Sequence, residues 1–165
     1  MSFKIKTLVL SFGIALTAWA QASQASSLYF SSVTLMNVGA VFEISILGDF
    51  SVGEPLAGGT IDLGYNGDKL QINSVTVAPV WDFLPRSGSQ TASGTNSVWS
   101  GIGFDVWDSP YQSGNGILIA TVNLTALGDG NPKLEFLGST EVFDTTMLLV
   151  PTLIATEITV AAPAG

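Results

Sequence analysis

The stretch from Gly58 to Val77, GGTIDLGYNGDKLQINSVTV, constrains the fold more than any other part of the chain, because it holds two alternating strand patterns joined by a turn. Ile61, Leu63 and Tyr65 fall on one face and Thr60, Asp62 and Gly64 on the other, the period-two pattern of a half-buried strand. Asn66-Gly67-Asp68 supplies the turn, Asn and Gly being the residues that tolerate the positive φ such turns use. Leu70 and Ile72 resume the alternation, whereas Val75 and Val77 sit one residue out of phase with them, which predicts a bulge or strand break near Asn73-Ser74.

The same alternation recurs at Phe42, Ile44 and Ile46, at Leu118, Ala120, Val122 and Leu124, at Leu134 and Phe136, and at Ile158 and Val160. Gly, Asn, Asp and Pro cluster between these runs, as at Gly114-Asn115-Gly116 and Gly128-Asp129-Gly130-Asn131-Pro132. Short strands with this punctuation predict an all-β fold, a single antiparallel β-sandwich of about nine strands. Arg86 to Ser97, rich in Ser, Gly and Thr, is expected to be a long mobile loop, and Ala161 to Gly165 a short tail.

Lys4 and Lys6, the apolar run Leu8 to Trp19 and the small residues Ala20-Gln21-Ala22 read as a secretory signal peptide cut after Ala22, with a second candidate cut after Ala25. The apolar run is about a dozen residues against the roughly 20 that a spanning helix needs, so no permanent membrane anchor is expected. Cleavage after Ala22 leaves 143 of the 165 residues, enough for one domain with its own core. The expected location is outside the cytoplasm: periplasmic, cell-surface or extracellular. Beyond Ala22 only Lys69, Arg86 and Lys133 stand against all 13 acidic residues, a formal charge of −10 that makes nucleic acid a poor partner.

The sequence has no cysteine and no histidine. That removes disulfides, thiol nucleophiles, imidazole bases, Ser-His-Asp machinery and most zinc or redox-metal coordination. Only carboxylate chemistry is left to an enzyme. Asp105 and Asp108 lie three apart, but spacing along a loop does not set the separation a glycosidase pair needs, and solvated loop acids are the plainer reading.

The element Tyr65-Asn66-Gly67-Asp68-Lys69-Leu70 followed by Val75-Thr76-Val77, the opening Val38 to Ile46 and the Gly114 to Val122 turn and strand together resemble the cohesin domains and related carbohydrate-binding β-sandwiches of bacteria. The resemblance covers roughly Ser27 to Val160 and implies a jelly-roll or cohesin-like sandwich. Ala78 to Tyr111 matches no part of the family pattern. Exported proteins with such domains often end in a sorting helix followed by arginines, which are lacking here, so the chain is expected either to be released or to have an anchor beyond it.

The resemblance implies a non-catalytic binding module with one of two partners. A cohesin engages a dockerin-like calcium protein through a flat sheet; the related modules hold polysaccharide on exposed aromatic rings. All tryptophans but Trp19 fall in one group with Phe83, Phe104 and Tyr111. Indole rings stack on the apolar faces of sugars, so Trp81, Trp99, Trp107 and Tyr111 are the candidate ligand-binding residues. Trp81 and Trp99 sit in strand-like stretches where core burial competes, while Trp107 and Tyr111, in loop-like Trp107-Asp108-Ser109-Pro110-Tyr111, are the better candidates. Gly101 and Gly103 alternate along one strand and leave a face bare for a ligand, another backbone or a tight bend. No cofactor is expected. A structural calcium stays open at Asp129-Gly130-Asn131, which holds part of an oxygen-ligand loop but also suits a β-turn. The rival function is a structural, matrix or adhesion protein assembling through its sheet edges.

Overall fold

The computed structural model describes residues 25–164; the expected signal peptide lies outside the described residues, apart from the second cut site beside Ala25. Strands form β1 (Ser27–Phe30), β2 (Met36–Asn37), β3 (Val41–Phe50), β4 (Gly58–Tyr65), β5 (Leu70–Val77), β6 (Arg86–Ala92), β7 (Ser97–Asp105), β8 (Gly114–Ala126), β9 (Lys133–Phe136), β10 (Glu141–Phe143), β11 (Leu148–Leu149), β12 (Thr152–Leu153), β13 (Thr156–Glu157) and β14 (Val160–Ala161). Nine of these have three residues or more, and the other five are two-residue pairings that tie down the segments around them. No helix occurs among the described residues.

One sheet runs β12-β1-β3-β8-β5 and the other β11-β10-β4-β7-β6, with β9 beside the far half of β4 and β13 beside β9. Every pairing is antiparallel except β1 with β12 and β2 with β14. The two sheets close on a single core because each contributes one apolar stripe. Phe42, Ile44, Ile46, Val122 and Leu124 come from the first and Ile61, Leu63, Ile102 and Phe104 from the second. Phe30 stacks on Phe136 at 4.4 Å between ring centroids, bridging β1 to β9. Full burial of side chains of this size stabilises by about 1.5–3 kcal/mol each before the entropy of ordering is set against it.

The break expected at Asn73-Ser74 is present: the register of β5 on β8 shifts between Ile72 and Ser74, which returns Val75 to the core. The Asn66-Gly67-Asp68 turn forms without positive φ at either Asn66 or Gly67. It closes instead through the Asn66 side chain, whose Oδ1 accepts the Asp68 N–H at 3.0 Å. The stretch expected to be a long loop corrects to strand β6 and a turn at 93–96. Hydrogen bonding to β7 makes that strand, and because neither face of it is buried its sequence carries no apolar alternation. Val80 to Phe83, strand-like in sequence, is a turn that follows β5. Ala161, expected in the tail, belongs to β14.

Candidate functional site

Thr60, Asp62 and Gly64 point away from the core while Ile61, Leu63 and Tyr65 point into it, so register assigns their neighbours to the same outer face. Gly58 lies between Asp105 and Phe143, Thr60 between Gly103 and Glu141, and Gly64 between Val98 and Glu135. Arg86 lies beside Gly103 on the edge strand β6. The face is low because its centre is built from glycine, serine and threonine. A Cβ at Gly58 would come within 2.6 Å of the Phe104 carbonyl oxygen, and one at Gly103 within 2.7 Å of the Arg86 guanidinium nitrogens.

Asp62 fixes the middle of this face. Its Oδ1 accepts the Ser100 hydroxyl at 2.7 Å and the Gly101 N–H at 2.8 Å. Its backbone N–H donates to Thr140 Oγ1 at 3.1 Å. Partial burial pushes the Asp62 carboxyl up, but the bonds from Ser139, Ser100 and Gly101 outweigh it and hold the carboxyl below its usual range. The register of β4 on β7 shifts between Ile61 and Leu63, opposite the left-handed Gly101 (φ +82°), so one of the two glycines read as a bare strand face is a bulge. The other, Gly103, is roofed by Arg86.

The outer face of the opposite sheet differs. There Asn73 Nδ2 donates to Asn123 Oδ1 at 2.8 Å and to Thr125 Oγ1 at 2.9 Å, so its amides satisfy one another.

At the Asp105 end of the low face is a hollow of about 130 Å³, walled by Thr60, Phe83, Leu84, Arg86, Asp105 and Phe143. A larger hollow of about 230 Å³ sits at the other end, over Gly64, among Asn96, Val98, Lys133, Glu135 and Leu137.

The four aromatic candidates are not brought onto one surface. Trp81 is 1% exposed, set edge-on against Phe104 at 4.9 Å, and its indole N–H donates to the Leu118 carbonyl at 3.0 Å. This corrects the expectation that it binds ligand: the ring is a core side chain with its one polar atom satisfied. Trp99 is half-buried against the core, and its N–H donates to the Ser87 carbonyl at 2.8 Å. Trp107 is 70% exposed and packs on Phe83 at 4.6 Å and 52°. Tyr111 is half-buried beside the Leu56–Gln112 bridge and makes no ring contact with Trp107.

Asp105 closes β7 and lines the smaller hollow, whereas Asp108 is exposed in the following loop and does not line it. Asp129 pairs with Lys69 at 3.6 Å, and Gly130, at φ +120°, exchanges backbone bonds with Val160. Among the described residues no three acidic side chains gather as metal ligands, and no helix is long and apolar enough to cross a membrane. Sequence reasoning missed Asp62, Leu84, Arg86 and Phe143 as parts of one surface. The one signal available was that Arg86 is the only arginine.

No family profile and no curated protein matches the sequence. Solved structures do match the fold. The sixth cohesin of scaffoldin B from Acetivibrio cellulolyticus, solved in complex with a Cel5 dockerin, superposes with a TM-score of 0.67 at 12% identity, covering 84% of this chain and 100% of that one. A type I cohesin of Clostridium thermocellum, in complex with its dockerin, gives 0.65 at 8% identity over 84% and 100% of the two chains. A cohesin module from a family 33 glycoside hydrolase of Clostridium perfringens gives 0.64 at 12% identity over 84% and 98%.

Proposed function

With a cohesin-like all-β sandwich as the premise, we propose that the chain is an exported, non-catalytic module that binds a dockerin-like protein through the outer face of the β10-β4-β7-β6 sheet. The observation that carries this reading is the shape of that face. The side chains of Asp105, Leu137 and Arg86 lie down over Gly58, Gly64 and Gly103, which keeps the face low, and the Asp62 network keeps its middle rigid. A rigid, low surface meets a partner with little ordering cost, and isolated charged side chains then act as anchors. Asp62, Glu135 and Glu141 outnumber Arg86 and Lys133 there, so the partner fitting it would be basic at its contact. That several matched cohesins were solved with dockerins supports the same reading. The lack of His and Cys and the separation of Asp105 from Asp108 support a binding role over catalysis.

A four-ring polysaccharide platform has less support, because Trp81 is in the core and Trp99 is tied to Ser87. The test is calorimetric titration of the segment 26–165 with a panel of calcium-loaded dockerins. Val98→Asp, beside Gly64 on the outer face, should weaken binding at least tenfold with the thermal midpoint unchanged. Absence of binding to every dockerin at about 100 μM, weaker than about 5 kcal/mol of association, would sink the reading.

A further inference from the structure

A guanidinium and a carboxylate wall the same small hollow without pairing with each other. The Arg86 fork lies over Gly103 and Asp105 stands at the end of β7 beside Gly58. Among the described residues the ion pair is Lys69 with Asp129, and neither the Arg86 nor the Asp105 side chain takes a hydrogen-bond partner. Besides Thr60 and two glycines, the rest of the lining is apolar: Phe83, Leu84, Phe104 and Phe143.

Two further features lie at the rim. Leu84 has φ +48°, a left-handed conformation that a leucine adopts only under constraint, and it is 70% exposed there. Phe83 carries Trp107 against its ring, so the aromatic surface continues outward from the hollow to an indole that is 70% exposed.

We infer that this hollow, at the Asp105 end of the same sheet face, is a saccharide subsite taking one residue of a neutral glycan, an activity distinct from the protein docking proposed above. The chemistry selects that ligand class. A sugar ring presents hydroxyls that both donate and accept, which answers a donor fork and a carboxylate acceptor lining one hollow. Its apolar C–H face suits Phe83 and Trp107. Arg86 and Asp105 together leave the hollow without net formal charge, which suits a neutral ring over an anionic or cationic one. Thr60 adds a hydroxyl to the lining.

The test is two-dimensional NMR of the segment 26–165 titrated with neutral hexasaccharides of glucose, xylose, mannose and galactose, with oligogalacturonate and a glutamate-rich peptide as comparisons. At least one neutral hexasaccharide should shift the amides of Gly59, Leu84 and Gly103. Arg86→Met, which keeps the aliphatic stem, and Asp105→Asn should each reduce that affinity at least tenfold, the scale of losing a hydrogen bond to a charged group. Trp107→Ala should reduce it as well, all three with circular dichroism unchanged. The inference is overturned if no neutral hexasaccharide moves those amides at millimolar concentration. It is equally overturned if Arg86→Met and Asp105→Asn bind as the parent does, or if the uronate or the peptide binds more tightly than every neutral sugar.

Discussion

Asp62 shows how one side chain can be placed by sequence and yet explained only by contacts. The alternation of β4 puts it on the outer face, but its partners Ser100 and Gly101 lie 38 and 39 residues away, and no local pattern announces them. Its behaviour with pH follows from them. Because the folded carboxyl titrates below an ordinary Asp, its contribution is complete above the unfolded value of about 3.9 and is lost as pH falls from there through the lower folded value. Asp62→Asn should therefore lose about 1 kcal/mol at pH 7 and show a smaller drop in urea midpoint between pH 5 and pH 2.5 than the parent chain. Equal drops would mean that the bonds to Ser100 and Gly101 do not favour the charged form. Trp81 and Trp107 make the complementary point: each stands between a valine and an aspartate, and only the position of Phe104 and the Leu118 carbonyl sends one to the core.

Elements were legible where one face is buried and illegible where none is. Strands β3, β4 and β5, with the offset at Ser74, follow from apolar spacing, because burial of alternate side chains writes itself into sequence. Strand β6, polar throughout, is held by pairing with β7 alone and reads as loop. The turn between β4 and β5 also ties to the turn between β6 and β7, since the Gly67 N–H donates to the Gly94 carbonyl at 2.9 Å. A Cβ at Gly67 would meet that carbonyl oxygen at 2.7 Å and collide with Ser97 Oγ. Gly67→Ala should thus destabilise by about 1–3 kcal/mol in chemical denaturation, the range for forcing extra volume into a closed contact. A change below about 0.5 kcal/mol would show that the two turns separate freely.

Across the whole molecule, charge sets a condition that no single contact relieves. With Lys69, Arg86 and Lys133 facing 13 acids beyond Ala22 and one ion pair among the described residues, the folded chain repels itself. Raising NaCl from 10 to 150 mM shortens the screening length from about 30 to 8 Å, and the thermal midpoint should rise by a few degrees; a fall would contradict net repulsion. The all-β class, the single core and the exclusion of thiol and imidazole chemistry follow from residue type and from a period of two along the chain. Which tryptophan is buried, that Arg86 and Asp105 share a hollow, and which sheet face is low come from long-range packing. The physical reason is that sheet partners are distant in the chain: Thr60 meets Gly103 and Glu141 through cross-strand register, and register is fixed by packing of the whole sandwich.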